Sequence, residues 1–344
     1  MTSTKVLCNY HWNNDEILKK IPDDEEDLTV SEIAQKVARK ELREDKMARE
    51  QCLHNLKSWL RKNDDVGNVR LDDRFLLRFL RVKKFSIPMA QQTILKYLNL
   101  RKTFPHMAAN LDYLDPKVNS LISNGYLVPS PIRDKHGRRV IIAFSSKLNP
   151  KVYTSHDMAR AHFITYETLL EDPENQILGF THVGDFSGLT AAHITIWNPT
   201  EFARIIKWGE QSVPVRHKGI HLVNLPSSVK WILDFVKTRV SSKIKDRFFI
   251  YSNLKELHKQ VDPACLPAEM GGKIPLKDMI ESWKRELAAK RDLLLALDDM
   301  KLFSDRGIIS SRDRNNNGNN DKGTNVYAAQ LESIAGSFRK LEFD

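Results

Sequence analysis

Apolar positions recur at three- and four-residue spacing through the first third of the chain, then gather into short unbroken runs through the middle. The first pattern is that of helices packed on one face, and the second that of buried strands. Ile33, Val37, Leu53, Leu56, Trp59 and Leu60 predict helix over 29–62, capped by Thr29 or Ser31. Phe75, Leu76, Phe79 and Leu80 face inward from a helix over Asp72–Val82, and Pro88 opens another that carries Ile94, Tyr97 and Leu98. From 116 onward the pattern alternates. Strands are predicted at Val140–Phe144, Leu178–Val183, Ile220–Leu225 and Phe248–Tyr251. Helices are predicted between them: one of about 18 residues from Ser155, one from Pro199 to before Pro214, and one over Ser227–Arg239. A last amphipathic helix spans Trp283–Leu302. Strand–helix alternation implies an α/β domain on a mostly parallel sheet, preceded by a helical bundle.

The segments divide at their polar stretches. Residues 1–28 form a polar, disordered tail, 29–104 the bundle, 116–276 the α/β domain and 277–303 a C-terminal helix. Residues 304–344 are a low-complexity linker followed by Ala328–Phe343, where Leu331, Ile334, Phe338 and Leu341 stand at helical spacing. That segment is open to two readings, a docking peptide or disorder.

One stretch concentrates the chemistry. Residues 214–247 place Arg216 and Lys218 at the start of a predicted buried strand, and Lys243 and Arg247 four apart after an amphipathic helix. Val229, Ile232, Leu233, Phe235 and Val236 share one face of that helix. On residues alone two readings stand: a module that meets an anionic lipid surface, or a core helix with a solvated basic end.

Charge narrows the partners. A net charge of +10 favours anionic surfaces without choosing among membranes, nucleic acid and acidic proteins. RNA binding would interleave aromatics with the basic residues, whereas Trp231 and Phe235 are expected to pack inward. Three widely spaced cysteines, Cys8, Cys52 and Cys265, make neither a disulfide framework nor a zinc site. No apolar run reaches the roughly 20 residues of a membrane span, so a cytosolic protein is expected. Enzyme signatures fail: in Gly184-Asp185-Phe186-Ser187-Gly188 the serine stands one position late for a nucleophile elbow. Neither a P-loop nor G-x-G-x-x-G occurs. His217 and His221, four apart on one strand, are expected on one face about 13 Å apart, too far to share a metal. They and His136, His156, His162, His182 and His193 are taken as structural or surface residues, with no metal site.

The motifs Asp73–Arg81 (DRFLLRFLR), Lys84-Phe85, Gly184–Gly188 (GDFSG), Gly219–Asn224 (GIHLVN) and Leu266–Gly272 (LPAEMGG) occur in this order. Together they closely resemble the CRAL-TRIO lipid-binding family over residues 45–300, nearest its tocopherol-transfer, retinaldehyde-binding and clavesin branches. The resemblance implies a helical bundle before a CRAL-TRIO α/β domain, with a hydrophobic lipid pocket under a helical lid at Ser227–Val240. It also implies a phosphoinositide (phosphatidylinositol bisphosphate) site at Arg216, Lys218, Lys243 and Arg247, which selects the membrane reading. Implied pocket residues are Phe163, Tyr166, Leu189, Ala191, Ile194, Phe202, Ile206, Ile232, Phe235 and Val236. Leu189, Ala191 and Thr195 stand where the tocopherol binder has larger or different side chains, and Tyr166 where it has a serine. The cavity is therefore reshaped.

The expected function is that of a non-enzymatic, cytoplasmic lipid-transfer protein. It would carry a tocopherol- or retinoid-like molecule, without further cofactor or nucleic acid, and dock on phosphoinositide membranes. The alternative is a clavesin-like trafficking adaptor, recruited to endosomes and meeting trafficking proteins through its tails.

Overall fold

Local sequence sets where each helix starts and stops. The structure, a computed structural model, describes residues 30–190, 192, 193, 196, 205, 209–227 and 230–309, the side chain of Ile232 excepted. The polar tail, the expected helix from Pro199 and the Ala328–Phe343 segment lie outside the described residues.

The single helix expected over 29–62 is two. Helix α1 (Glu32–Val37) starts where the Ser31 hydroxyl accepts from the Ala34 N–H, and runs into one π-turn, Ala38–Leu42. It stops because Arg43 takes a left-handed conformation (φ 62°) and Asp45 caps a new helix, α2 (Lys46–Lys62). After a two-residue strand, β1 (Val66–Gly67), come α3 (Asp73–Val82), capped by Asp72, α4 (Ile87–Thr103), α5 (Pro105–Ala108) and α6 (Pro116–Ser123). Strands β2 (Leu127–Pro129) and β3 (Arg139–Phe144) follow. Thr154 caps α7 (Ser155–Leu169), because Asp157 completes a reciprocal capping box with it.

Helix α8 (Pro173–Leu178) claims Leu178, which moves the second expected strand to β4 (Phe180–Asp185). Gly179 (φ 78°) makes that turn, and any side chain there would overlap the Arg216 carbonyl. Next come β5 (His217–Val223), α9 (Lys230–Arg239), α10 (Ser242–Lys245), β6 (Phe248–Tyr251) and α11 (Leu254–Leu257). The last helix, α12 (Leu276–Ala296), begins before Trp283 and ends sooner than expected. The chain then returns as β7 (Lys301–Leu302), antiparallel to β1.

The main sheet runs β2-β3-β4-β5-β6, parallel throughout except for β2 against β3. Its parallel strands require crossovers, and α7 is the one between β3 and β4. The largest core joins the bundle to one sheet face through Phe75, Phe79, Ile94, Ile141, Ile164 and Phe180. A second core packs Val140, Ile142, Val183 and Val223 of the other face against Met279 and Ile280 of α12.

The bundle is bolted to the α/β domain by buried charge. Arg78 reaches Glu167 at 2.7 Å and Glu171 at 2.6 Å, and Arg70 meets Glu171 at 2.8 Å. The Tyr97 hydroxyl donates to Glu167. Arg81 pairs with Glu44 and also donates to Gln176. Arg78 and Arg81 of the DRFLLRFLR motif thus set bundle orientation, and removing either would strand a buried carboxylate at a cost of about 3–5 kcal/mol.

Candidate functional site: a basic recess and a histidine cluster

The start of β5 is irregular, and the irregularity organises two sites. His217 pairs with Phe180 and Gly219 with Thr181, so Lys218 is an extra residue in the ladder. Such a bulge shifts the alternation of side chains. His217 turns toward α7, where it meets His182 and Tyr166. His221, opposite Val183, stacks on Phe249 and Tyr251 on the other side. The expectation that His217 and His221 share a face is corrected: the bulge separates them.

The four expected phosphoinositide residues converge. Arg216 and Lys218 come from the bulged start of β5, Lys243 from α10, and Arg247 from the turn into β6, where its Nη1 donates to the His217 carbonyl. Burial, then repulsion from Arg247, Lys84 and Arg216, pulls Lys243 below the usual lysine range. Arg216, Lys218 and Arg247 are likewise lowered, first by burial, with Arg138 repelling all three. Arg216 Nε is buried without a hydrogen-bond partner. These are the marks of cations crowded beyond their counter-charge.

One carboxylate answers them. Glu41, on the π-turn after α1, accepts from Arg216 at 2.7 Å and Lys218 at 2.6 Å through the same oxygen. Burial alone would raise its carboxyl, but the bond to Lys218 and the two positive charges hold it below the usual range. Glu41 was missed from the sequence, as were Arg138 and Lys84. Only Lys84 carried a signal, its place in the Lys84-Phe85 motif.

The second site lies between α7 and the sheet. His217 Nδ1 and His182 Nε2 stand 2.9 Å apart, and the Tyr166 ring meets both imidazoles edge-on at 6.0 Å. The Tyr126 hydroxyl is 3.2 Å from His162 Nε2, and His162 lies 6.3 Å from the Tyr166 ring. Burial alone pushes His162 down to about 4, and burial with repulsion from Arg247 does the same for His217. His182 is lowered well below the ordinary value by burial and its neighbouring rings. The imidazoles are therefore neutral. His162, Tyr166, His182 and His217 are nonetheless only half-buried by surface. Folding brings His162, His182 and His217 together from separate elements, α7, β4 and β5. Among the described residues no group of three or more His, Cys, Asp or Glu is arranged to hold a metal ion.

The remaining pocket expectations divide. Phe163 is buried in the main core beside the half-buried Tyr166. Leu189, Phe235 and Val236 are half-buried, and Leu233 is buried on α9. The side chain of Ile232, and Ala191, Ile194, Phe202 and Ile206 entirely, lie outside the described residues. Trp231 is corrected: it points outward, 59% exposed, while Phe235 turns back under the Arg239 guanidinium at 4.9 Å. The GDFSG motif is structural. Asp185 Oδ1 accepts from the Ser187 N–H and hydroxyl and from Asn224 Nδ2, tying the ends of β4 and β5 together.

Comparison with known proteins agrees with this architecture. Residues 45–118 match the Pinta-like UBA domain family and residues 123–272 the CRAL/TRIO domain. Human Clavesin-2 is 30% identical over 251 residues, 73% of this chain and 76% of that protein. Clavesin-1 of Xenopus laevis is 31% identical over 250 residues, 72% and 75% of the two chains. The crystal structure of Sfh5 aligns with a TM-score of 0.49 at 16% identity, covering 73% of this chain and 99% of that one. Relatives so similar over most of both chains, together with the domain match, place this chain in the CRAL-TRIO family of lipid-binding and transfer proteins.

Proposed function

We propose that this protein carries a hydrophobic small molecule in the space between α7 and the sheet, and docks on phosphoinositide membranes through Arg216, Lys218, Lys243 and Arg247. The observation that carries the reading is the convergence of those four cations beside α9, the helix at the expected lid. A bisphosphorylated headgroup suits them because it offers several acceptors to charge-assisted donors in a small volume.

Magnitudes support a lid that opens at the membrane. Uncovering the buried Leu233 and the half-buried Phe235 and Val236 in water costs roughly 3–6 kcal/mol. Cations at an anionic surface contribute about 1 kcal/mol each, so four supply roughly 4 kcal/mol. Transfer of the apolar face into lipid offsets the remainder. Replacing Lys243 and Arg247 together by alanine is expected to weaken binding to vesicles containing phosphatidylinositol bisphosphate about 30-fold. Binding to phosphatidylcholine vesicles should not change. Undiminished binding of the double variant to phosphoinositide vesicles would reject the assigned recess.

A further inference from the structure

The basic recess holds more positive charge than its surroundings answer. Arg138 repels Arg216, Lys218 and Arg247, so that five cations crowd there together with Lys243. Glu41 pairs with Arg216 and Lys218, whereas Arg138, Lys243 and Arg247 have no ion pair among the described residues. The Arg216 side chain is only 12% exposed, and its Nε is left without a partner. The densest block of counter-charge in the sequence is Asp23, Asp24, Glu25, Glu26 and Asp27 in succession. Those residues lie outside the described ones, but the point where they join the fold is fixed. Two residues separate Asp27 from Val30, where the described chain begins. Val30 packs on the core that α1 shares with α8, and the Ser31 hydroxyl donates to Glu174. Ile33 stands beside Gly137, the chain neighbour of Arg138. From Val30, α1 and its π-turn run about 15 Å to Glu41. Extended chain covers about 3.3 Å per residue, so the five carboxylates reach roughly 10–23 Å from Val30. The acidic run is thus tethered within reach of Arg138 and of the four cations beyond it.

We propose that residues 23–27 fold back along α1 and lie on Arg138, Arg216, Lys218, Lys243 and Arg247 as an internal counter-charge, which a membrane headgroup must displace. Glu41 already brings one carboxylate to the recess from the same end of the chain. Each surface pair is weak by itself. A short tether holds the run at an effective concentration on the order of millimolar, so weak pairing suffices to populate the contact. The contact faces solvent, and salt therefore weakens it. A phosphoinositide headgroup competes because it brings several phosphate oxygens, and the field of the bilayer, to the same cations. The cover thereby suppresses docking on weakly anionic membranes and yields on phosphoinositide-rich ones. The inference rests on the recess as the docking site and adds what occupies it beforehand.

Carbodiimide crosslinking of the full-length protein, which joins a carboxylate to a lysine amine in contact with it, reads the cover without any membrane. Glu41 and Lys218, 2.6 Å apart, are the internal control. Crosslinked peptides joining residues 23–27 to Lys218 or Lys243 should appear at low salt and disappear when vesicles containing phosphatidylinositol bisphosphate are added. Sedimentation with those vesicles reads the consequence. The variant Asp23→Asn, Asp24→Asn, Glu25→Gln, Glu26→Gln, Asp27→Asn should bind them about tenfold more tightly than the wild type at low salt, with the difference closing at high salt. Neutralising five carboxylates also raises the net charge of +10 by five, so the same substitutions are repeated with Lys243→Ala and Arg247→Ala. Loss of the gain in that background assigns it to the recess. An undiminished gain assigns it to overall charge and overturns the cover. A Glu41–Lys218 crosslink with none from residues 23–27, or unchanged vesicle affinity of the neutralised variant, overturns it as well. Crosslinks from residues 23–27 in a protein that binds no phosphoinositide vesicle would overturn the membrane reading and leave the internal contact standing.

Discussion

Trp231 shows how one side chain reverses the meaning of a helix. Trp231 was expected to pack inward with Phe235, yet 59% of its surface is open. In the proposed docking, this exposed indole on α9 would enter the interfacial layer of the bilayer, where its apolar body and polar N–H are both satisfied. Its contribution should be apolar and therefore insensitive to salt, unlike that of the recess. Replacing Trp231 by alanine is expected to weaken vesicle binding about tenfold, equally at low and high salt. Sedimentation with vesicles across a salt series checks this. A loss that vanishes at high salt would assign Trp231 to the electrostatic surface instead.

The strap formed by α1 and its π-turn is the element with the least sequence signal and the most direct hold on the recess. Ala34, Ala38 and Leu42 pack against Ile177 and Leu178 of α8, and the buried Glu44–Arg81 pair fixes its end. Thus anchored, it delivers Glu41 to Arg216 and Lys218. Those two cations are partly neutralised before any headgroup arrives, which reduces their share of the roughly 4 kcal/mol available from four charges. Glu41→Gln should therefore tighten binding to phosphoinositide vesicles about three- to tenfold, after allowing for solvent at a carboxylate 47% exposed. Weaker binding would mean that Glu41 orders the recess more than it competes for it.

The strap also marks where sequence reasoning stops. Ordered motifs made the fold legible, and alternating strands and helices made the sheet so. The four cations were legible because they sit inside the GIHLVN neighbourhood or follow the lid. Glu41 was not, because 175 residues separate it from Arg216, and a lone glutamate on a polar helix has no pattern. The histidine cluster was hidden differently. A bulge at Lys218 sets which way His217 points, and a one-residue shift in a ladder leaves no trace in composition.

Across the whole molecule, the dehydration that keeps the buried imidazoles neutral also sets its tolerance of acid. His162, His217 and His221 are held at about 4 and His182 well below the ordinary value, in each case chiefly by burial. In the unfolded chain these rings titrate near 6.5. Between about pH 6.5 and 4 the unfolded chain therefore binds more protons than the folded one, and stability falls as pH falls. A ring lowered as far as His162 accounts for on the order of 3 kcal/mol once that window is crossed. Glu171 acts lower. Burial would raise its carboxyl, but Arg70 and Arg78 hold it at about 2. Its contribution is complete above the unfolded value near 4.3 and is lost as pH falls toward 2. The two windows abut, so urea midpoints should be level from pH 8 to 7, decline from about 6.5, and keep declining below 4. In the His182→Val, His217→Val variant the upper part of that decline should shrink while the lower part remains. A wild-type midpoint that holds level down to pH 4.5 would show that the imidazoles are hydrated and protonate freely in the folded protein.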